Sequence, residues 1–300
     1  MQPRRAYIQI HFCVLLWGFT AILGKLISLD AIPLVWWRML LVAAVLACVP
    51  RVHRAWRSMP PRLIASFAGI GVVIAFHWVT FYAAIKMSNA SVGATCMALA
   101  PVFLAIVEPL IVGRRFDARE LLLGAAMVPG VMLVVGGVPS GMRAGIAVGA
   151  LSALAVSVFS TLNKRLVHRA DPLAVTAIEL GAGALLLTFI APLIPHTGPA
   201  FPIPGVRDAL LLLVLSGVCT ILPFTLALVA LRELSAFATQ LAVNLEPLYA
   251  ILIAVVLLNE HHQLGMRFYL GVAIILAVVF IYPVISRRPL PALHPEELGN

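Results

Sequence analysis

The sequence predicts an all-α membrane protein whose ten transmembrane helices form a five-plus-five inverted repeat. Three observations indicate this fold: the composition, the recurrence of apolar segments of membrane-spanning length, and a faint internal repeat. Of the 300 residues, 62% are hydrophobic and 11% are charged, whereas globular domains carry about 45 to 50% apolar and about 25% charged residues. A single soluble core cannot bury this much apolar surface, so the chain is expected to lie in a lipid bilayer.

Ten apolar segments alternate with polar or Pro- and Gly-containing breaks. A bilayer core of about 30 Å requires roughly 20 apolar residues in one helix, and breaks such as Pro60-Pro61 are typical of helix ends. The short connections leave no soluble domain for a nucleotide or a catalytic site. The predicted spans are residues 7–29, 32–49, 63–85, 90–112, 121–138, 144–163, 172–192, 208–231, 236–258 and 265–285.

The basic residues predict the orientation of these spans. Short cytoplasmic loops carry an excess of Lys and Arg, and fifteen of these residues fall on one side of the predicted bundle against five on the other. Both termini are therefore expected to be cytoplasmic. The net charge of +9 is scattered between apolar segments, so no basic face for nucleic acid is indicated. The fifteen are Arg4, Arg5, Arg51, Arg54, Arg57, Arg62, Arg114, Arg115, Arg119, Lys164, Arg165, Arg169, Arg232, Arg287 and Arg288.

The internal repeat relates positions that are 146 residues apart. Because the repeated unit contains five spans, its second copy enters the membrane from the opposite face. We expect a first unit at 1–139, a second, inverted unit at 140–288 and a cytoplasmic tail at 289–300. Internal symmetry of this kind is typical of transporters. The matching pairs are Ala84/Ala230, Ala90/Ala236, Leu99/Leu245 and Pro101/Pro247, with Lys86/Arg232 and Phe103/Tyr249 as conservative pairs.

Polar residues near the membrane centre are the first candidates for a binding site. Ionisable groups at this depth usually face a bundle interior or a water-filled cavity, and Arg38, Glu179 and Glu246 are the deepest. For Arg38 and Glu179, two interpretations stay open: a salt bridge with each other, or contact with substrate. Gln240 and Asn244 share a helical face just before Glu246, which favours a polar strip along a cavity over ordinary interhelical hydrogen bonding.

Aromatic residues form the second part of the candidate site. Trp17 lies in the middle of its span, away from the interfaces where Trp is common, and His77, Trp78 and Tyr82 fall within two turns of the third span. We predict that Trp78 and Tyr82 contact substrate, because their polar tips need partners when buried, and that Phe81 is chiefly structural. His77 is included among the candidate binding residues, and a histidine satisfied within the bundle is favoured over a proton carrier.

Pro101 and Pro247 are predicted hinges. Each is expected near a helix centre, where proline removes a backbone hydrogen bond; packing kinks are the alternative. No catalytic residue, metal site or cofactor is predicted, since His261 and His262 lack further ligands and the cysteines lack paired spacing. The four cysteines, expected to be buried free thiols, are Cys13, Cys48, Cys96 and Cys219.

Several short motifs resemble those of one transporter family. They are Trp17-Gly18, Arg38, the segment Tyr82-Ala-Ala-Ile-Lys-Met-Ser88 that leads to Pro101, Glu246-Pro247, and Asn259-Glu260. Together with the five-plus-five repeat, they resemble the EamA family of the drug/metabolite transporter superfamily over nearly the whole chain. The aromatic content of the first and third spans is most similar to YddG-type exporters. The resemblance implies export of aromatic amino acids and similar metabolites across the bacterial inner membrane.

These residues suit a secondary carrier that exposes a central cavity alternately to each face. An apolar amino acid would place its side chain among the aromatic residues, its carboxylate on Arg38 or a helix end, and its ammonium on Glu246 and Asn244. A cationic drug in an aromatic cage is the alternative within the superfamily. A passive channel also stays open, whereas an intramembrane enzyme lacks a nucleophile and base. The expected partners are a small-molecule substrate and lipid; a monomer is compatible with the sequence, which leaves the oligomeric state open.

Overall fold

The computed structural model describes residues 3–113, 115–195, 198–234, 239, 242–243 and 245–285. All regular elements in these ranges are helical. Short 3-10 turns lie at Ser140–Met142, Val167–Arg169, Ala191–Leu193 and Glu260–Gln263, and a π-helical segment, Gly217–Ile221, joins α10 to α11. The α-helices are α1 (Pro3–Leu26), α2 (Ala31–Ala47), α3 (Pro50–Ser58), α4 (Pro61–Met87), α5 (Ala90–Met97), α6 (Ala100–Val112), α7 (Ala118–Gly136), α8 (Arg143–Leu166), α9 (Pro172–Ile190), α10 (Val206–Ser216), α11 (Leu222–Glu233), α12 (Glu246–Leu258) and α13 (Met266–Ile285).

The helices are those of a multi-pass membrane protein. By length and composition, six described helices could cross a membrane, and α2 with α3 would add a seventh if the bent pair is one span. Shorter apolar helices at Gly124–Gly136, Glu246–Leu258 and Met266–Val278 fall within further predicted spans. On the outer surface, apolar side chains such as Phe189, 68% exposed, and Val256, 75% exposed, face outward, as a lipid-facing surface requires. The ten-helix inverted repeat stays a prediction.

The structure corrects the expected position of the two candidate hinge prolines. Pro101 is the second residue of α6, just after a break at Ala98 and Leu99, and Pro247 is the second residue of α12. Proline at the first turn of a helix removes no intrahelical hydrogen bond, because that N–H has no partner there. Each proline therefore lies in the first turn of its described helix, where it causes no kink, and a hinge role for Pro101 would depend on the break at Ala98 and Leu99.

Helix α3 was not predicted as a helix. Its basic residues were assigned to a connection, but the segment folds into a short amphipathic helix that leaves α2 at an angle of 87°. Trp56 Nε1 donates to the carbonyl oxygen of Ala174 at 3.3 Å, and Arg51 Nη2 lies 2.5 Å from Asp171 Oδ2. These contacts hold α3 beside the start of α9, so the basic side of the bundle carries ordered structure.

Helices from the first half of the chain pack against helices from the second half. Helix α4 lies against α8 and α9, α1 against α11 and α12, and α2 against α9. The contact between α4 and α9 depends on Gly71, where a Cβ atom would lie 2.0 Å from the carbonyl oxygen of Glu179. No side chain fits at that distance, so the backbone of α4 approaches α9 at the depth of Glu179.

The end of the bundle where α1 and α4 terminate, called here the Ile27 end, is held by acidic side chains that bridge distant parts of the chain. The Glu260 carboxylate accepts hydrogen bonds from the N–H groups of Ala90 and Ser91, both at 2.9 Å. Asp208 accepts from the N–H of Ser28 at 3.2 Å. Carboxylates stabilise a helix N-terminus by satisfying its free N–H groups, so Glu260 fixes the start of α5.

Basic side chains make similar contacts at both ends. At the Ile27 end, Lys86 Nζ donates to the carbonyl of Ile27. At the opposite end, where α8 and α11 terminate and which we call the Val167 end, Arg232 Nε donates to the carbonyl of Val167 at 3.2 Å. Lys164 Nζ there donates to the carbonyl of Leu234 at 2.5 Å. The predicted repeat partners Lys86 and Arg232 thus each bond the carbonyl that follows a long helix, at opposite ends of the bundle.

Candidate functional site

A cavity of about 120 Å³ lies inside the bundle. Its wall is mostly apolar and includes one cationic and one acidic side chain, each from a different helix. Helices α1, α2, α4, α5, α8, α11 and α12 contribute to it. The lining residues are Trp17, Thr20, Arg38, His77, Trp78, Phe81, Met97, Val156, Phe159, Ser160, Asn163, Phe224, Ala227, Leu228, Leu231, Thr239, Val243 and Glu246.

Arg38 is the cation of this cavity, and the protein holds its guanidinium in place. The side chain is 3% exposed. Its Nε donates to Thr220 Oγ1 at 2.8 Å and its Nη1 donates to the Tyr82 hydroxyl at 2.7 Å. The guanidinium carbon lies 3.8 Å from the centre of the Trp78 ring, a cation–π geometry that stabilises the charge. Since these contacts use two of the five N–H groups of arginine, donors are left for a bound anion.

The π-helical segment at Gly217–Ile221 positions one of these partners. A π-bulge adds a residue to a helical turn and is common at functional sites. Here it turns Thr220 toward Arg38, while the Thr220 hydroxyl donates to the carbonyl of Leu215 at 2.5 Å. Pro223, the second residue of α11, follows directly and cannot donate the next backbone bond. Thr220 was missed by sequence reasoning, although Pro223 inside an apolar span was a local signal of irregular backbone.

Glu246 supplies the acidic group. It is the first residue of α12 and is 8% exposed. Its charge interacts with that of Arg38, but among the described residues no side chain or backbone group donates a hydrogen bond to it and no salt bridge joins the two. A carboxylate in this position retains acceptor capacity for a ligand.

Aromatic rings form much of the remaining wall. The Trp78 ring packs edge-to-face on Phe224, with centroids 6.2 Å apart. His77 lies between Phe81 and Phe159, at 6.2 and 5.4 Å. Such offset and edge-to-face pairs hold rings in fixed orientations, which gives the cavity a rigid apolar surface.

Comparison with protein-family models assigns the chain to a family. The model described as the EamA-like transporter family matches residues 4–136 and, a second time, residues 143–283. The chain belongs to the EamA-like transporter family. This is a family of membrane transporters, which agrees with a cavity that can bind a molecule.

Comparison with solved structures extends the result to the fold. One crystal structure of a protein has a TM-score of 0.65 to this EamA-like transporter at 17% sequence identity, with 95% of this chain and 99% of the other chain covered. At that identity the similarity demonstrates a shared fold only. Among curated proteins, no sequence matches the chain significantly.

Most of the predicted site residues of this EamA-like transporter meet at the cavity. Trp17, Arg38, His77, Trp78 and Glu246 all line it. The ring nitrogen Nδ1 of His77 is 2.8 Å from the Ser152 hydroxyl, so this histidine also has the satisfied environment that was favoured over a proton carrier. Two further predicted residues, Gln240 and Asn244, lie outside the described residues.

The structure reverses the expected positions of two neighbouring rings. Tyr82 does not line the cavity but is fully buried behind it, where a Cβ at Gly24 would lie 2.2 Å from its ring. It influences the cavity through its bond to Arg38. Phe81, which we expected to be chiefly structural, lines the cavity. A four-residue spacing identifies which rings share a helical face, but not which face turns inward.

Of the two interpretations left open for Arg38 and Glu179, the salt bridge between them is not present among the described residues. Arg38 bonds Thr220 and Tyr82 instead, whereas both carboxyl oxygens of Glu179 are buried without a hydrogen-bond partner from any described residue. Arg38 and Glu179 lie at comparable depths in their helices but face different neighbours. Arg38 faces Thr220 and Tyr82, whereas Glu179 lies beside Asn163.

The described residues contain no group of three His, Cys, Asp or Glu side chains that could hold a metal ion. Three cysteines are buried free thiols, as expected, but Cys48 is exposed, because it follows the last turn of α2 where the chain bends into α3. Sequence reasoning also overlooked part of the wall. The overlooked lining residues include Thr20, Phe159, Ser160, Asn163 and Phe224.

Proposed function

We propose that this protein exports amino acids with apolar side chains, chiefly aromatic ones, and related small metabolites across the bacterial inner membrane. The observation that carries the proposal is one cavity that contains a fixed guanidinium, Arg38, a carboxyl without a described partner, Glu246, and aromatic walls. A zwitterion needs a cation for its carboxylate and an anion for its ammonium. The aromatic rings supply the apolar surface for its side chain.

The size of the cavity supports a small substrate. A buried water needs about 10–15 Å³ of such volume, so a cavity of about 120 Å³ holds on the order of ten non-hydrogen atoms. An aromatic amino acid is of that size, and bulky drugs are larger. In this conformation, the space therefore favours a metabolite over a large cation.

The alternative within the superfamily, export of an organic cation, has one observation in its favour. Glu246 and Trp17 line the same cavity, and a carboxylate beside an aromatic ring suits a cation. However, the face of Trp78 is already occupied by Arg38 at 3.8 Å. A positive ligand would be repelled by that guanidinium, whereas a carboxylate would be attracted.

Transport by alternating access is supported by the two ends of the bundle. Lys86 and Arg232 make equivalent contacts at opposite ends, as inverted halves would. At the Ile27 end, Glu260 and Asp208 bond distant parts of the chain together. The cavity wall reaches Asn163 and Leu231 near the Val167 end. We infer that this conformation is closed at the Ile27 end.

The orientation follows from the basic residues, which favour a cytoplasmic Val167 end and cytoplasmic termini. Arg54 on α3 is exposed and suits a labelling test. In a variant with the native cysteines replaced, a cysteine at position 54 should resist an impermeant thiol reagent added outside intact cells and react after permeabilisation. A cysteine at exposed position 207 should react from outside. The reverse pattern would contradict this orientation.

The function is tested with purified protein in liposomes. Vesicles loaded with labelled L-phenylalanine should release it faster than protein-free vesicles, and external unlabelled L-phenylalanine should accelerate release, because a carrier exchanges substrate. A channel shows neither saturation nor exchange. Efflux of phenethylamine but not of phenylalanine would assign the protein to organic cations instead.

A further inference from the structure

A second acidic side chain, Glu179 on α9, lies outside the substrate cavity and is not explained by substrate binding. It is 0% exposed, and both carboxyl oxygens are buried with no hydrogen-bond partner in the part of the chain that the structure describes. We propose that Glu179 is a proton-binding site that couples export to the proton gradient. This inference rests on the proposed function, because the coupled substrate is the one held by Arg38 and Glu246.

The surroundings of Glu179 favour the neutral acid in this conformation. An ionised carboxylate without a partner is strongly unfavourable in a low-dielectric interior, whereas the protonated acid is much less so. Hydrogen bonds or cations that would hold the charge are missing from the described surroundings of its oxygens. The neutral, protonated form of Glu179 is therefore favoured in this conformation. A change in its surroundings can release that proton.

The charged and titratable groups of the neighbouring helices are engaged elsewhere. On α2, Arg38 bonds Thr220 and Tyr82. On α4, His77 is held by Ser152, and on α3, Arg51 pairs with Asp171 at the start of α9. The bases near the end of α8 and α11, Lys164 and Arg232, donate to backbone carbonyls. Among the described residues, these engaged groups leave Glu179 without a counter-charge.

Asn163 on α8 connects Glu179 to the cavity. The Asn163 amide lies close enough to interact with the Glu179 carboxyl, although no described group makes a hydrogen bond of good geometry to either Glu179 oxygen. Asn163 also lines the cavity and is 2% exposed, and no described residue bonds its Oδ1. Asn163 on the cavity wall and Glu179 behind it thus form a pair of polar side chains whose oxygens have no hydrogen-bond partner among the described residues. A water molecule that enters from the cavity can bond both.

This arrangement allows the Glu179 carboxyl to exchange a proton with water in the cavity. When the cavity admits water beside Asn163, the Glu179 carboxyl can lose its proton to that water, and the carboxylate that results is stabilised by the water and the Asn163 amide. Before that water is displaced, a hydronium ion in the cavity returns a proton to the carboxylate and is left as water. No other atom is transferred. The close approach of Gly71 to the Glu179 backbone holds this part of α9 against α4.

The test uses the full-length protein in liposomes and separates exchange from accumulation. Glu179→Gln removes the proton site while keeping the size and polarity of the side chain. It should leave exchange of labelled L-phenylalanine at equal pH intact but abolish accumulation driven by a pH gradient. Glu179→Asp retains an acid and should retain accumulation with a shifted pH dependence. Asp30→Asn, at an exposed carboxylate that makes no capping bond, is the matched control and should behave as the wild type.

Infrared spectroscopy of the same samples detects the proton directly. The wild type should have a carbonyl stretch of a neutral carboxylic acid that Glu179→Gln lacks, whether or not phenylalanine is the substrate. Full accumulation in Glu179→Gln, or an unchanged infrared spectrum, overturns the proposal. Wild-type exchange without any gradient-driven accumulation also overturns it while the proposed function stands. Absence of phenylalanine flux in the wild type defeats the proposed function instead.

Discussion

The two charged residues of the cavity differ in how far the protein has already satisfied them. Arg38 has the Thr220 and Tyr82 hydroxyls as acceptors and the Trp78 ring against its face. Glu246 has no hydrogen-bond donor among the described residues. A cation that is fixed by its neighbours can orient a carboxylate at little entropic cost, whereas an acid with open acceptor sites gains most from a ligand. The comparison indicates that the site would hold one zwitterion between a rigid cationic group, Arg38, and an adaptable acidic group, Glu246. We call these the rigid pole and the adaptable pole.

The largest effect is expected from Arg38→Lys, which breaks the rigid pole while keeping its charge. Lysine cannot bond two acceptors in a plane or stack in the same way. Charge-assisted hydrogen bonds contribute about 1.5–3 kcal/mol each, so Kd for L-phenylalanine should rise by about 10- to 100-fold. The measurement is titration calorimetry on purified protein.

The matched control for that variant is Arg207→Lys. Arg207 is exposed on α10 and does not line the cavity, so the same chemical change there should leave Kd unchanged. If Arg38→Lys bound phenylalanine as tightly as the control, Arg38 would be structural and the carboxylate would bind elsewhere.

A smaller effect is expected from Trp78→Leu, which removes both the ring over Arg38 and part of the apolar wall. An aromatic contact of this kind contributes about 0.5–1.5 kcal/mol beyond its buried area, so Kd should rise by several-fold without loss of membrane expression. Trp56→Leu on α3, whose ring lies away from the cavity, is the control. A greater loss in the Trp56 variant would mean that the assay reports folding rather than binding.

The smallest effect is expected from Thr220→Val, which keeps the shape of the side chain but removes the acceptor for Arg38 Nε. A single hydrogen bond to a charged group is at stake, and Tyr82 and Trp78 still hold the guanidinium. We expect the binding free energy to weaken by on the order of 1 kcal/mol. The rise in Kd should therefore be no larger than that of Trp78→Leu. Thr188→Val, which removes a hydroxyl bonded to Trp36, should have no effect on binding. An unchanged Kd in Thr220→Val would assign the π-segment a packing role alone.

The sequence predicted the parts of the fold that depend on hydrophobic length. Apolar runs of about 20 residues and Pro- or polar-rich breaks locate membrane helices because the bilayer imposes that length. The same reasoning missed α3, which is short and amphipathic, and the π-segment before Pro223. Both depend on tertiary contacts, such as that of Trp56 with Ala174, and sequence periodicity alone does not contain these.

The sequence predicted which charged side chains belong to the candidate site. It predicted only in part which residues they contact and which residues line the cavity. Charges at mid-membrane depth are costly and therefore informative, which is why Arg38 and Glu246 were found. Their cost does not specify a partner: Arg38 bonds Tyr82 rather than Glu179. Phe159 and Asn163 were overlooked because nothing in α8 distinguishes a cavity-lining face from a packed one.

The measurement that tests the two-pole site most directly compares three ligands by calorimetry on the wild type and on Glu246→Gln. The ligands are L-phenylalanine, 3-phenylpropionate, which lacks the ammonium, and phenethylamine, which lacks the carboxylate. For the wild type, phenylalanine should bind about tenfold or more tightly than either analogue, since each lost charged contact is worth about 1.5–3 kcal/mol. In Glu246→Gln, phenylalanine should weaken to the level of 3-phenylpropionate, whose own affinity stays unchanged. Tighter binding of phenethylamine than of phenylalanine to the wild type, or equal loss of all three ligands in Glu246→Gln, would contradict a site built for a zwitterion.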